Sequence, residues 1–119
     1  MVKVHVFFTT VASDIARDMF VAWLDGWGIP WELLTHEDKD YLEELGFIKR
    51  DKNSNVYEGD DFRSGDYGIL DGPDDIIVLF GDEADIVHGV KICPRNEEQA
   101  ETVEDIIKDF REIERVLCK

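Results

Sequence analysis

The chain lacks most of the features that announce an activity. Its two cysteines, Cys93 and Cys118, are too few for a disulfide scaffold, and their separation fits neither a zinc nor a redox motif. Its three histidines, His5, His36 and His88, are scattered, with no i, i+4 pair and no neighbouring cysteine, so they read as core or surface residues rather than as ligands or catalysts. No phosphate-binding loop, dinucleotide fingerprint, G-x-S-x-G elbow or H-E-x-x-H pair occurs. No apolar run is long enough to cross a membrane. The opening Val2–Phe8 stretch is too short for a signal peptide and is followed directly by Ser13, Asp14, Arg17 and Asp18, so the expected compartment is the cytoplasm, with both thiols reduced. There is no internal repeat and no low-complexity tract, and 119 residues suit one domain spanning 1–119.

Positive charge is also scarce. Lys and Arg number 13 against 28 Asp and Glu, a formal net charge of −15, which opposes binding to nucleic acid phosphates and to anionic membranes. The imbalance is concentrated in the middle: residues 51–85 carry eleven acids and two bases, net −9, against −4 before and −2 after.

What is present is a clear succession of elements. Val2–Thr9 is β-branched and aromatic, nearly apolar on both faces at its end, and suits an interior strand. Ser13 or Asp14 caps a helix to about Asp25, with Ile15, Met19, Phe20, Ala22 and Trp23 as its apolar stripe and Gly26 and Gly28 at its end. Trp31–Leu34 is a short strand. Thr35 with Asp38 resembles a capping box for a helix through Leu45, with Tyr41, Leu42 and Leu45 inward. Phe47–Glu58 reads as a hairpin around Asp51–Ser54, Gly59–Pro73 as a loop, and Ile76–Phe80 with Ile86–Ile92 as a second hairpin. Asn96 with Gln99 opens a last helix whose inward face is Ala100, Val103, Ile106, Ile107, Phe110, Ile113, Val116 and Leu117. This helix is expected to cover the sheet beside Val4, Val6 or their neighbours, with Phe110 best buried.

The fold class is therefore α/β: β-α-β-α, an inserted hairpin and acidic loop at about 47–72, then β-β-α, forming a mixed sheet with helices on both faces. The first two strands, joined by a helix, should run parallel. This element order resembles the thioredoxin-like fold, with glutaredoxins and their glutamate-rich relatives as the nearest local match. They too open with a strand like Val2-Lys-Val-His-Val-Phe-Phe-Thr, then a helix ending in a Gly-Ile-aromatic-Glu stretch, here Gly28-Ile29-Pro30-Trp31-Glu32. The resemblance implies a cysteine motif at about Thr9–Ser13, where a helix N-terminus would activate a thiol. The residues there are Thr9-Thr10-Val11-Ala12-Ser13, so the redox activity of that family does not carry over. Pro73 stands near the place of the family's cis-proline, separated from the next strand by Asp74 and Asp75. A ferredoxin-like α+β sandwich is the competing fold.

Two further patterns have plain readings. Asp51-Lys-Asn53-Ser-Asn55 starts like a calcium loop, but Val56 and Phe62 stand where Gly and a bidentate Glu are needed, which leaves a polar hairpin turn. Leu45-Gly46-Phe47-Ile48-Lys49-Arg50 resembles a helix-to-wing junction of winged-helix domains, yet the adjoining helix carries Glu37, Asp38, Asp40, Glu43 and Glu44 against Lys39, the wrong sign for DNA. The acidic stretch is interleaved with aromatics. It reads either as a solvated loop or as a surface for a basic partner, with Glu58, Asp60, Asp61, Phe62, Asp66, Tyr67, Asp74 and Asp75 as the contact residues. Trp27, set between glycines, reads either as a core-packing residue or as a further anchor.

The expected function is a non-enzymatic acidic interaction module, monomer or homodimer, that docks on a basic protein surface without cofactor, metal, nucleic acid or membrane. The alternatives are an inhibitor that imitates nucleic acid and blocks a nucleic-acid-binding protein, as small phage proteins do, and a divergent glutaredoxin-like thiol oxidoreductase.

Overall fold

The computed structural model describes residues 2–45, 49–50, 57–58, 65–69, 75–82 and 87–117, with backbone alone at 2, 49–50, 57–58, 66–69 and 117. The elements are β1 (Val2–Phe8), α1 (Ser13–Gly26), β2 (Trp31–Leu33), α2 (His36–Glu44), β3 (Lys49–Arg50), β4 (Tyr57–Glu58), β5 (Gly65–Ile69), β6 (Ile76–Gly81), β7 (Val87–Ile92) and α3 (Glu97–Leu117). The class is α/β. A five-stranded mixed sheet has the order β2-β7-β6-β1-β5, and β3 and β4 pair separately as the expected hairpin.

The apolar strands take the central positions because both of their faces are covered. In β6 every residue is buried, and β1 beside it places Val4, Val6 and Phe7 at 1% exposure or less. The two run parallel, with His5 opposite Val78 and Phe7 opposite Phe80. Because β2 is antiparallel to β7, β7 antiparallel to β6, and β6 parallel to β1, the first two strands are indeed parallel, but β6 and β7 lie between them.

Alternation along the strands sends side chains to two cores. On one face Phe7, Val78, Phe80, Val90 and Ile92 meet α1 and α3; on the other Val4, Val6, Ile77, Leu79 and Val87 meet Leu34 and Leu42 of the α2 side. The first core centres on Phe110 of α3, which has no exposed surface. Its ring stands edge-on to Phe7 at 4.9 Å, to Phe20 at 5.5 Å, to Phe80 at 5.6 Å and to Trp23 at 5.8 Å. The last helix thus packs on the sheet as expected, but against Phe7 rather than Val4 or Val6, which point to the opposite face.

Several expectations need correction. Within Gly59–Pro73, expected as a loop, Gly65–Ile69 forms β5 on the edge of β1, with Tyr67 opposite Val4 and Asp66 opposite His5. The backbone of an interior apolar strand requires partners on both sides, and that requirement overrides the poor strand propensity of Gly65, Asp66 and Gly68. In α1 the buried face is Ser13, Ala16, Phe20, Val21 and Leu24, while Ile15 and Met19 are exposed at 52% and 39%. Both stripes have helical spacing; contact with Phe7 and Phe80 selects the one containing Phe20. Leu45 after α2 and Val116 near the end of α3 are also exposed rather than inward.

The helix ends follow local chemistry. Thr35 and Asp38 form the capping box, the Thr35 hydroxyl accepting from the Asp38 N–H at 3.1 Å and the Asp38 carboxylate from the Thr35 N–H at 3.0 Å. Asn96 Oδ1 accepts from the Gln99 N–H at 2.8 Å, while the Gln99 side chain reaches back to the Arg95 N–H rather than to Asn96. The first helix ends on Gly28 at φ 68°, with the Ile29 N–H reaching back to the Leu24 carbonyl and both side chains buried.

Where β5 stops at Gly65, α3 takes over the edge of β1. The Arg111 guanidinium donates through Nη1 to the Val6 carbonyl at 2.7 Å and through Nη2 to the Gly65 carbonyl at 3.3 Å. Glu114, 6% exposed, accepts the Phe8 N–H at 2.7 Å and pairs with Arg111 at 3.1 Å. The guanidinium also lies 4.0 Å over the Phe7 ring. An Arg–Glu pair one helical turn apart thereby satisfies backbone groups that a longer β5 would have bonded.

Candidate functional site

The carboxyl ends of the parallel strands β1 and β6 meet the start of α1, the place where open α/β sheets commonly present ligand sites. The chain turns there through Thr9–Ser13. Thr9 is fully buried, its N–H on the Gly81 carbonyl at 3.0 Å and its hydroxyl on the Val11 carbonyl at 3.0 Å. The residue before the helix is Ala12, which has no capping side chain. The cap comes instead from across the sheet: Asp82, at the end of β6, accepts the Ser13 N–H at 3.0 Å, and its negative charge also suits the positive end of the helix dipole. Ser13, expected as a cap, is the first helical residue. Asp82 falls within the acidic stretch yet is only 9% exposed.

Ser13 Oγ shares a 2.6 Å hydrogen bond with His88 Nδ1 of β7. Burial first, then the charge of Arg17, holds the His88 imidazole below its ordinary pKa, against the pull of Asp14 and Asp82. A serine beside a neutral imidazole has the elements of a nucleophile and base. Ser13 has no exposed surface, and Asp82 accepts its backbone N–H at 3.0 Å. The three residues lock the start of α1 to β6 and β7.

Beside this lock opens a cleft of about 160 Å³ whose floor is Leu33, Leu34, Leu79 and Val87. Arg17 and Lys39 stand at it with His88. Gly89 lets the floor close up, since a Cβ there would lie 2.7 Å from Leu79 Cδ2 and 2.8 Å from Leu34 Cδ1.

The contact residues expected from the sequence lie elsewhere. Trp27 is 69% exposed at the end of α1, its N–H held by the carbonyls of Trp23 and Leu24. Trp23 is partly buried in the first core, and Trp31 packs there too while donating Nε1–H to Asp25 at 2.8 Å. Asp75 is half-buried, accepts from the Cys93 thiol at 3.3 Å, and offers its carbonyl to the Lys3 N–H. Glu58 lies on β4 and Asp66 and Tyr67 on β5, while Asp60, Asp61, Phe62, Asp74 and the calcium-like segment 51–56 lie outside the described residues. Burial of the thiol and the neighbouring Asp75 carboxylate push the Cys93 pKa up to about 11, away from the thiolate that exchange requires.

Lys91 of β7 joins Glu32 at 3.1 Å and Asp38 at 3.3 Å, tying α2 to the sheet. Burial raises the Asp38 pKa, but the Thr35 N–H and hydroxyl and the Lys91 ammonium more than offset it, leaving Asp38 below its ordinary value. Among the described residues no group of His, Cys, Asp and Glu could hold a metal ion, and no helix is long and apolar enough to cross a membrane. Comparison with known protein families, with curated proteins and with solved structures returns no match.

Proposed function

We propose that this protein is a non-enzymatic docking module that sets Trp27 and the acidic 51–85 region against a basic surface of a partner protein, in the cytoplasm. The observation that carries the reading is Trp27: an indole 69% exposed on a backbone fixed by hydrogen bonds at a glycine-terminated helix end. A pre-ordered, exposed Trp costs little to immobilise and is a frequent anchor of interfaces. The net charge of −9 in residues 51–85 favours a partner of opposite sign, for which it would accelerate encounter. A basic surface that normally holds nucleic acid is one such partner, which keeps the inhibitor reading within the same proposal. The thioredoxin-like relationship is proposed on element order alone, and the raised Cys93 pKa weighs against a thiol oxidoreductase.

The test is a pull-down from the source cell at two ionic strengths, followed by affinity measurement on the captured partner. Binding should weaken at least tenfold between about 50 and about 300 mM salt, because exposed charges are screened beyond about 8 Å at physiological salt. It should also weaken about tenfold or more in Trp27→Ala, as for a hot-spot residue. An affinity indifferent to both changes would overturn the reading.

A further inference from the structure

We propose that the cleft between α1, α2 and the start of β7 is a binding site for a small organic carboxylate with a short branched alkyl tail. The charge of its walls is the first argument. In a chain with 28 acidic and 13 basic residues, the described residues lining this cleft include Arg17 and Lys39 and no carboxylate. Burial and the charges of Arg17 and Lys39 hold the His88 imidazole toward its neutral form, against Asp14 and Asp82, so both cations act at this wall of the cleft.

The floor supplies the second argument. Leu33, Leu34, Leu79 and Val87 form an apolar base beneath the charged rim, so the site is amphipathic in the sense of a carboxylate joined to an alkyl group. Leu33 remains 57% exposed, an apolar side chain that an occupant would cover. Size limits the ligand: about 160 Å³ is well below the roughly 300–1,000 Å³ of pockets for drug-sized molecules. Arg17 already contacts Asp18 through Nε at 3.3 Å and Nη2 at 3.2 Å, but the Asp18 side chain is 69% exposed, so that pair is solvated and weak. Trp27 and Asp75, the docking residues whose side chains are described, do not line this cleft, and failure here would leave the Trp27 reading untouched.

Isobutyrate is the probe, with isobutyramide as its neutral isostere, each titrated into the intact protein while backbone amide resonances are followed. Isobutyrate should give saturable shifts at Gly89, Leu34 and Lys39 with a Kd in about the millimolar range expected of so few atoms. Arg17→Gln and Lys39→Gln, both on partly exposed helix positions and checked for unchanged unfolding midpoints, should each weaken binding about tenfold, as for loss of a charged hydrogen bond. Asp18→Asn, which releases the guanidinium, should strengthen it. The proposal is overturned if isobutyramide binds equally well, if inorganic phosphate binds as tightly as isobutyrate, if Asp18→Asn weakens binding, or if the shifts do not saturate.

Discussion

Replacing Phe110 by alanine removes the centre of the larger core. The ring has no exposed surface and stands edge-on to Phe7, Phe20, Phe80 and Trp23, all within 5.8 Å between centroids. Truncating a buried Phe costs about 3–5 kcal/mol, and each edge-to-face pair adds about 0.5–1.5 beyond area burial, which places this site near the top of that range, about 4–5 kcal/mol. A domain of this size has only about 5–15 kcal/mol of stability, so the loss is a large share. At about 4 °C per kcal/mol the thermal midpoint should fall by roughly 15–20 °C. Circular dichroism melts and urea titrations read this directly. Val116→Ala, on the same helix but at 70% exposure, is the control and should stay within about 0.5 kcal/mol. A drop of less than about 5 °C for Phe110→Ala would refute the packing, at about the same conversion. So would an unchanged midpoint with a dimer turning to monomer on a sizing column, for then the stripe would be a subunit interface.

His88 gives a pH dependence. Its folded pKa is lowered, so the folded state binds fewer protons than the unfolded chain just below the ordinary histidine pKa of about 6.5, and stability should fall as pH drops through that value; denaturant midpoints from pH 7.5 to 5 should show a flatter slope in His88→Gln. Cys93, in a Cys118→Ser background, should react with an aromatic disulfide at pH 8 at least about tenfold more slowly than a free cysteine, because its pKa of about 11 leaves little thiolate. Glu114→Ala removes the acceptor of the Phe8 N–H and a carboxylate paired with Arg111, and should cost about 2–3 kcal/mol in urea unfolding, whereas Glu114→Gln, which keeps an acceptor, should cost less than half of that.

Legibility in the sequence depended on the range of the interaction. Elements fixed by near neighbours were readable: the Thr35–Asp38 capping box, the Gly28 helix end, and the α3 stripe from Val103 to Phe110 at steady helical spacing. β5 was not, because Gly65-Asp66-Tyr67-Gly68-Ile69 becomes a strand through the vacant edge of β1, some sixty residues away. The inward face of α1 was ambiguous because Ile15–Met19 and Ala16–Phe20 are equally spaced apolar pairs. The lock of Ser13, Asp82 and His88 combines three residues from separate elements, none with a local signature; Asp82 read as one more solvated acid until the pairing of β1 with β6 brought it to the α1 terminus. The Arg17–Lys39 cleft was hidden likewise, since its two cations stand on different helices and are outnumbered by acids along the chain.

The central place of β1 has a consequence for synthesis. Its neighbours in the sheet are β5 and β6, and Arg111 and Glu114 hold the Val6 carbonyl and the Phe8 N–H, so these partners are translated about sixty or more residues later. At roughly 5–20 residues per second, Phe7 and the hydrophobic face of α1 wait several seconds outside the ribosome before Phe110 arrives to cover them. Until β5 and β6 emerge, the strand Val2–Phe8 also lacks its edge partners, the kind of segment that pairs with other chains. A message truncated before the codon for Phe110 would therefore yield an aggregating chain rather than a smaller folded one, and this protein's yield in a cell should respond to chaperones that hold extended apolar segments during elongation.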